Sequence, residues 1–115
     1  MKGKEMKTAQ AELRTFDLDL MMRALASPVR RNILYLLKEP CLNFQQNDKN
    51  IGNEDGVCVD SIAKRLGLAQ STVSAHLALL ERAGFLRFAS FGKWTYFSRA
   101  ESTISRFLTD LHANI

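Results

Sequence analysis

Residues 60–86, "DSIAKRLGLAQSTVSAHLALLERAGFL", constrain the fold of this chain more than any other stretch. Ile62, Ala63 and Leu66 recur at i, i+1 and i+4, and Gly67 follows in the place where a left-handed residue closes a helix at least cost. A second helical pattern begins within about three residues, at Gln70, and runs to another terminal glycine, Gly84. Two short helices joined by a glycine turn predict a helix-turn-helix over residues 59–84.

The second helix separates into two faces when projected at about 100° per residue. Val73, Leu77 and Leu80 share one side; Ser71, Ser74, Ala75 and Ala78 share the other; Gln70, Thr72 and His76 lie at the borders. No carboxylate occurs on this helix before Glu81. Small residues let DNA approach closely, hydroxyls and amides bond base edges or phosphates, and carboxylates would be repelled. The helix N-terminus adds unpaired amides and a positive dipole end. A face turned only to water would tolerate the same serines, so the helix by itself leaves both readings open. The order of elements favours DNA. After Gly84 comes "FLRFASFGKWTYFSR", residues 85–99, predicted as a hairpin turning at Ser90, Phe91, Gly92 and Lys93. Such a wing would carry Arg87 and Lys93 to backbone phosphates while Phe85, Phe88, Trp94, Tyr96 and Phe97 supply alternating packing faces. Interleaved aromatics could also stack single-stranded bases, but alternation at period two more often marks a core.

At 115 residues with 46% hydrophobic content, the chain suits one domain spanning 1–115, shared with a second copy. The net charge of +4 is unevenly spread: residues 1–38 and 60–99 carry +4 each, residues 39–56 carry −3 and residues 100–115 carry −1. The helix-turn-helix and wing thus occupy a basic region. Residues 1–10 are expected to be a disordered N-terminus. They are charged and lack an apolar signal core, and no run approaches the roughly 18 apolar residues of a membrane span. A cytoplasmic protein without membrane contact is expected. Cys41 and Cys58 form neither a CxxC nor a disulfide framework, which suits a reducing compartment.

Leu13, Phe16, Leu20 and Ala24 recur at helical spacing, and "ASPVRRNILYLLKEP" then offers Ser27 as N-cap, Pro28 at the first helical position and Pro40 as a stop. Val29, Ile33, Leu36 and Leu37 form its apolar stripe; Arg30, Arg31 and Lys38 lie away from the stripe's centre. Residues 39–56 read as a long polar loop, with an effector- or partner-binding insertion as the alternative. Residues 100–115 form an amphipathic helix striped by Ile104, Phe107, Leu108 and Leu111. Leu13, Phe16 and Leu20, with that last stripe, are too peripheral to be covered within so small a domain, and predict a homodimer interface.

The segments "ALASPVRRNILYLLKE", "DSIAKRLGLAQSTVSAHLALLERAGFL" and "GKWTYFSR" resemble the arsenic-repressor (ArsR/SmtB) family of bacterial winged helix-turn-helix repressors, from about residue 20 to the end. The resemblance implies a mainly α fold with a small β-hairpin, a homodimer joined by its first and last helices, and a repressor bound to an operator and released by an inducer. It implies DNA contacts at Gln70, Ser71, Ser74 and Ala75 and at the wing; the residues themselves add Thr72 and His76. Two departures stand out. The acidic connection of residues 39–56 exceeds the family's usual length, and Ala69 replaces a serine cap, removing about 1 kcal/mol from the start of the helix.

The family's thiol metal site would fall on Cys58, Asp60 and Ala63, leaving one thiol of three. Its site on the last helix would fall on Glu101, Thr103 and Asn114, without the required histidines. Asp110 and His112, at i and i+2, point about 200° apart. No metal and no cofactor are therefore expected. Cys58 is the candidate redox residue, because a helix N-terminus favours a thiolate, with Cys41 as the candidate resolving thiol; a buried packing cysteine is the plainer alternative. Nothing supports an enzyme: there is no Gly-rich phosphate loop and no nucleophile–base arrangement. The expected partner is an inverted repeat in double-stranded DNA, with an unidentified small-molecule or redox effector. A winged-helix protein-interaction module is the competing class, for which Ala75, lacking a reaching side chain, is the one point in favour.

Overall fold

The computed structural model describes residues 17–44, 51–52 and 56–115. The expectations for residues 1–10, for Leu13 and Phe16, and for the middle of the acidic connection lie outside those residues.

Helix α1 spans Leu18–Leu25, capped by Asp17, whose carboxylate accepts from the Leu20 amide at 3.1 Å. Helix α2 spans Pro28–Lys38, starting at the expected cap: Ser27 Oγ accepts from the Arg30 amide at 3.3 Å and Pro28 fills the first turn. It buries Ile33, Leu34, Leu36 and Leu37, so its apolar face is wider than the expected stripe. Pro40 both stops α2 and opens a one-turn helix, α3, at Pro40–Asn43. Asn43 Nδ2 donates to the Leu36 carbonyl at 2.9 Å, and Arg65 Nε donates to the Asn43 carbonyl at 3.0 Å. The polar connection is thus not loop throughout; hydrogen bonds to α2 and to the following helix fold its first residues onto the domain.

Two short strands follow, β1 at Ile51–Gly52 and β2 at Gly56–Cys58, then α4 at Val59–Leu66 and α5 at Gln70–Arg82. Gly67 ends α4 with φ of 70°, the left-handed closure its sequence position predicts. The hairpin is β3 at Leu86–Phe91 and β4 at Trp94–Arg99, and α6 at Glu101–Asn114 ends the chain. Its turn is tighter than expected. Phe91 pairs with Trp94, so only Gly92 and Lys93 form the loop, and Gly92 takes the positive φ of 62° that a two-residue hairpin turn asks of its first position.

The sheet has four antiparallel strands in the order β1-β2-β4-β3. Val57 and Phe88 flank Phe97 from the two sides of β4. The segment before the helix-turn-helix is therefore part of the wing's sheet, which couples the two halves of the motif mechanically. Gly56 makes this pairing possible: its φ is 104°, and a Cβ there would overlap the backbone carbonyl of Phe97.

The core gathers Met21 from α1, Ile33 from α2, Ile62 from α4, Val73, Leu77 and Leu80 from α5, and Phe85. Phe107 of α6 joins it, 2% exposed, with its ring edge-on to Phe85 at a centroid distance of 5.2 Å. The expectation that Phe107 faces a partner is corrected: its side chain is spent inside its own domain. Arg99 locks the base of the wing, with Nη1 donating to the Leu34 carbonyl at 3.0 Å and Nε and Nη2 reaching the two Glu101 carboxylate oxygens at 2.7 and 3.1 Å. That pairing holds the Glu101 carboxyl below its usual range, chiefly through the Arg99 hydrogen bond.

Candidate nucleic-acid interface

Helix α5 is anchored by Val73, Leu77 and Leu80, all fully buried, against α4, α2 and β3. Each buried aliphatic of this size contributes about 1.5–3 kcal/mol, enough to fix the helix and its opposite face. That face carries Ser71, Ser74 and Ala75 exposed, as the projection predicts, and the border residues Gln70 and Thr72 are exposed beside it. The first turn holds no acidic residue, and Ala69, at the N-cap, offers no side chain to its amides. A polar, carboxylate-free surface with a positive dipole end is suited to an anionic polymer.

The wing stands beside it. Lys93, at the hairpin tip, is exposed and its ammonium lies 5.8 Å from the centroid of the Trp94 ring. One cleft is lined by Cys58, Asp60, Gln70, Lys93, Trp94 and Thr95, so the start of α5 and the wing tip form a common surface. Arg87 is exposed but elsewhere: it pairs with Ser98 near the hairpin base, about 13 Å along the strand from the tip. The two wing cations therefore stand at opposite ends of the hairpin.

The aromatic assignments divide. Phe85 and Phe97 are core, whereas Phe88, which packs on Phe97 at 6.1 Å between centroids, remains 56% exposed. Phe91, expected in the turn, is a strand residue whose ring meets that of Tyr96 edge-on at 6.0 Å between centroids, and it is half exposed.

His76 is half-buried, and Arg30 is the residue that sequence reasoning missed. Arg30 Nη1 lies 3.0 Å from His76 Nδ1, its Nε donates to the Ala24 carbonyl at 2.8 Å and its Nη2 to the Arg23 carbonyl at 3.1 Å. Burial first, and the Arg30 charge second, hold the His76 imidazole below its ordinary value. The only available signal was its position at the edge of the α2 stripe, where a long side chain reaches sideways over a neighbour.

Cys58 is 2% exposed and its thiol donates to Ser61 Oγ at 3.6 Å, while Cys41 is exposed on α3. A reactive thiol needs access, so the packing reading of Cys58 gains over the redox one. Asp60 pairs with Lys64 at 3.3 Å, Glu101 with Arg99, and the Asp110 carbonyl accepts from Asn114 Nδ2 at 2.7 Å. Among the described residues no three of His, Cys, Asp or Glu converge on a common point. Of the candidate interface residues, Leu20, Ile104 and Leu111 are partly buried against the core, and Leu108 is 56% exposed. Leu18 and Met22 of α1 are exposed as well, and were not anticipated.

Comparison with known proteins adds the family. The sequence profile of the arsR family of bacterial regulatory proteins matches residues 53–87, the strand and helix-turn-helix just described. The helix-turn-helix-type transcriptional regulator YbzH of Bacillus subtilis, itself uncharacterised, is 37% identical over 95 residues, covering 83% of this chain and 95% of YbzH. The chain belongs to the ArsR family. Its winged helix-turn-helix fold matches those of solved ArsR-family proteins. The homodimeric DNA-binding domain of a possible ArsR-family regulator from Mycobacterium bovis aligns with a TM-score of 0.60 at 25% identity, over 91% of this chain and 83% of that one. Another ArsR family transcriptional regulator aligns with a TM-score of 0.62 at 21% identity, over 84% of each chain, a likeness of fold alone. This ArsR-family chain is thus a transcriptional regulator with a DNA-binding fold, and none of its described helices is long and apolar enough to cross a membrane.

Proposed function

We propose that this protein is a homodimeric, sequence-specific repressor that binds an inverted repeat in double-stranded DNA and is released by an effector, acting in the cytoplasm. The observation that carries the reading is the exposed, carboxylate-free face of Gln70, Ser71, Thr72, Ser74 and Ala75, fixed over fully buried Val73, Leu77 and Leu80, with Lys93 across a common cleft. Exposed Leu18 and Met22 on α1 and Leu108 on α6 support dimerisation through the first and last helices, as does the homodimeric state of the Mycobacterium bovis domain. In a two-fold dimer the two α5 helices would enter successive major grooves about 34–36 Å apart. The repressor sense and inducer release rest on family membership.

Gel-shift and footprinting measurements on the DNA upstream of the protein's own gene test this. A protected inverted repeat is expected. Ser71→Ala or Ser74→Ala should relax sequence preference, whereas Lys93→Ala should weaken binding to all sequences and lower the salt slope by about one unit. A single unrepeated footprint, or no binding at all, defeats the reading. Release is expected to be independent of zinc or arsenite, since the family's thiol positions retain only Cys58 and a tight tetrahedral site needs about four donors. Metal-driven release that persists in Cys58→Ser would overturn that part.

A further inference from the structure

We propose that Arg30 is a positioning residue that fixes the tautomer of His76, so that the recognition helix presents the imidazole Nε2–H to a hydrogen-bond acceptor on DNA. The inference rests on the DNA-binding reading of α5 and adds to it a donor of defined chemistry and the residue that sets it.

A guanidinium has donors only, so the 3.0 Å contact between Arg30 Nη1 and His76 Nδ1 requires Nδ1 to accept. A ring that accepts at Nδ1 is neutral and carries its proton on Nε2. The guanidinium is itself held: Nε and Nη2 donate to the carbonyls of Ala24 and Arg23, where α1 ends. It cannot rotate away without stranding the Ala24 carbonyl; the Arg23 carbonyl would keep the Ala26 amide, which donates to it at 3.1 Å. Nε2 makes no hydrogen bond to any described residue, and His76 sits on the border between the buried and exposed faces of α5, one turn beyond Thr72. The first two turns otherwise offer amide and hydroxyl groups, each able to accept as well as donate. An Nε2–H donor with its other nitrogen occupied can only donate, and so selects for acceptors: a phosphate oxygen, or a major-groove base acceptor such as guanine O6 or N7, adenine N7 or thymine O4.

The electrostatics agree. Among the described residues Arg30 of α2 is the charged group acting on the ring, while α1 presents backbone carbonyls to Arg30; no charged group of α4 or the wing contributes. Burial and Arg30 both oppose protonation, which keeps the ring neutral and the tautomer defined at neutral pH.

The test has an arm in the free protein and an arm on DNA. Nitrogen-15 chemical shifts of the His76 imidazole in the free wild type at pH 7.5 should show a protonated Nε2 and an unprotonated Nδ1, and Arg30→Met should give mixed tautomers with a higher midpoint of titration. A protonated Nδ1 in the wild type overturns the proposal without any variant. On the operator, glutamine can accept from Arg30 through Oε1 and donate through Nε2, so His76→Gln should bind within about 3-fold of wild type, whereas His76→Leu should lose about 10-fold or more. Wild-type affinity in His76→Leu, with the wild type itself binding, overturns the donor role alone. Failure of the wild type to bind any upstream DNA overturns both the donor role and the DNA-binding reading beneath it. Operator DNA carrying 7-deazaguanine distinguishes the acceptors. Weakening by this base in the wild type but not in His76→Leu identifies the guanine edge; a loss in His76→Leu that is equal across sequences and leaves the salt slope unchanged identifies phosphate, since a neutral ring releases no counterion.

Discussion

Gly56 shows how much one backbone position can control here. Its positive φ and the space a Cβ would need both exclude a side chain, because the Phe97 carbonyl occupies that space and is held by the β2–β4 ladder. Gly56→Ala should lower stability by at least about 2 kcal/mol, read as a fall in the denaturant midpoint, since both the strained dihedral and the displaced strand add cost. His76 and Glu101 make a second residue-scale expectation, in pH. Both are held below their ordinary values in the fold, so the unfolded chain binds more protons and stability rises with pH wherever they titrate. The His76 contribution is fully present above about pH 6.5 and is lost as pH falls through and below that value; the Glu101 contribution is lost in turn below about pH 4.5. Thermal unfolding of wild type should therefore decline from about pH 6.5 downward, and His76→Gln should flatten the upper part of that decline. An unchanged profile in His76→Gln would show that the ring is not held neutral by the fold.

At the scale of elements, the start of α5 is under-capped. Ala69 has extended dihedrals suited to an N-cap, φ −65° and ψ 145°, but no side chain to accept from the first-turn amides. Ala69→Ser should raise stability by about 1 kcal/mol, or about 4 °C in Tm, and should not clash because Ala69 is exposed. Calorimetry checks it; no gain would mean that those amides are already satisfied. This helix, its glycine-closed predecessor and the hairpin were legible because periodicity, glycine position and turn chemistry each speak locally. The exposed face of Ser71, Ser74 and Ala75, with Gln70 and Thr72 at its borders, followed from the same 100° projection. What stayed hidden depended on contacts distant in sequence: the pairing of Val57 with Phe97 that makes the wing a four-stranded sheet, the edge-on stacking of Phe85 with Phe107, and the reach of Arg30 across to His76. The α6 stripe gave Phe107 and Leu108 equal standing, because a pattern of apolar residues marks burial without saying in which molecule the burial occurs. Arg87 and Lys93 looked equivalent for a similar reason, since charge and spacing do not reveal which end of a hairpin meets a ligand.

For the molecule as a whole, that difference between Phe107 and Leu108 separates folding from assembly. Phe107 is enclosed by its own domain, so Phe107→Ala should cost about 3–5 kcal/mol of stability whatever the oligomeric state. Leu108 is 56% exposed, one residue further round α6, and Met22 and Leu18 on α1 are also uncovered. In a two-fold interface each substitution appears twice. Losing one buried leucine or methionine from each copy removes about 3–6 kcal/mol, a weakening of the dimer by about 100-fold or more. The pair Met22→Glu and Leu108→Glu should therefore sediment as a monomer at micromolar concentration while its far-ultraviolet circular dichroism stays native. Operator affinity should fall with it, because two half-sites are held by one rigid body only in the dimer, and joining two copies through a linker should restore much of the loss. A double variant that remains dimeric places the interface elsewhere than α1 and α6; one that unfolds would instead show that these exposed side chains support the domain itself, which their position outside the core argues against.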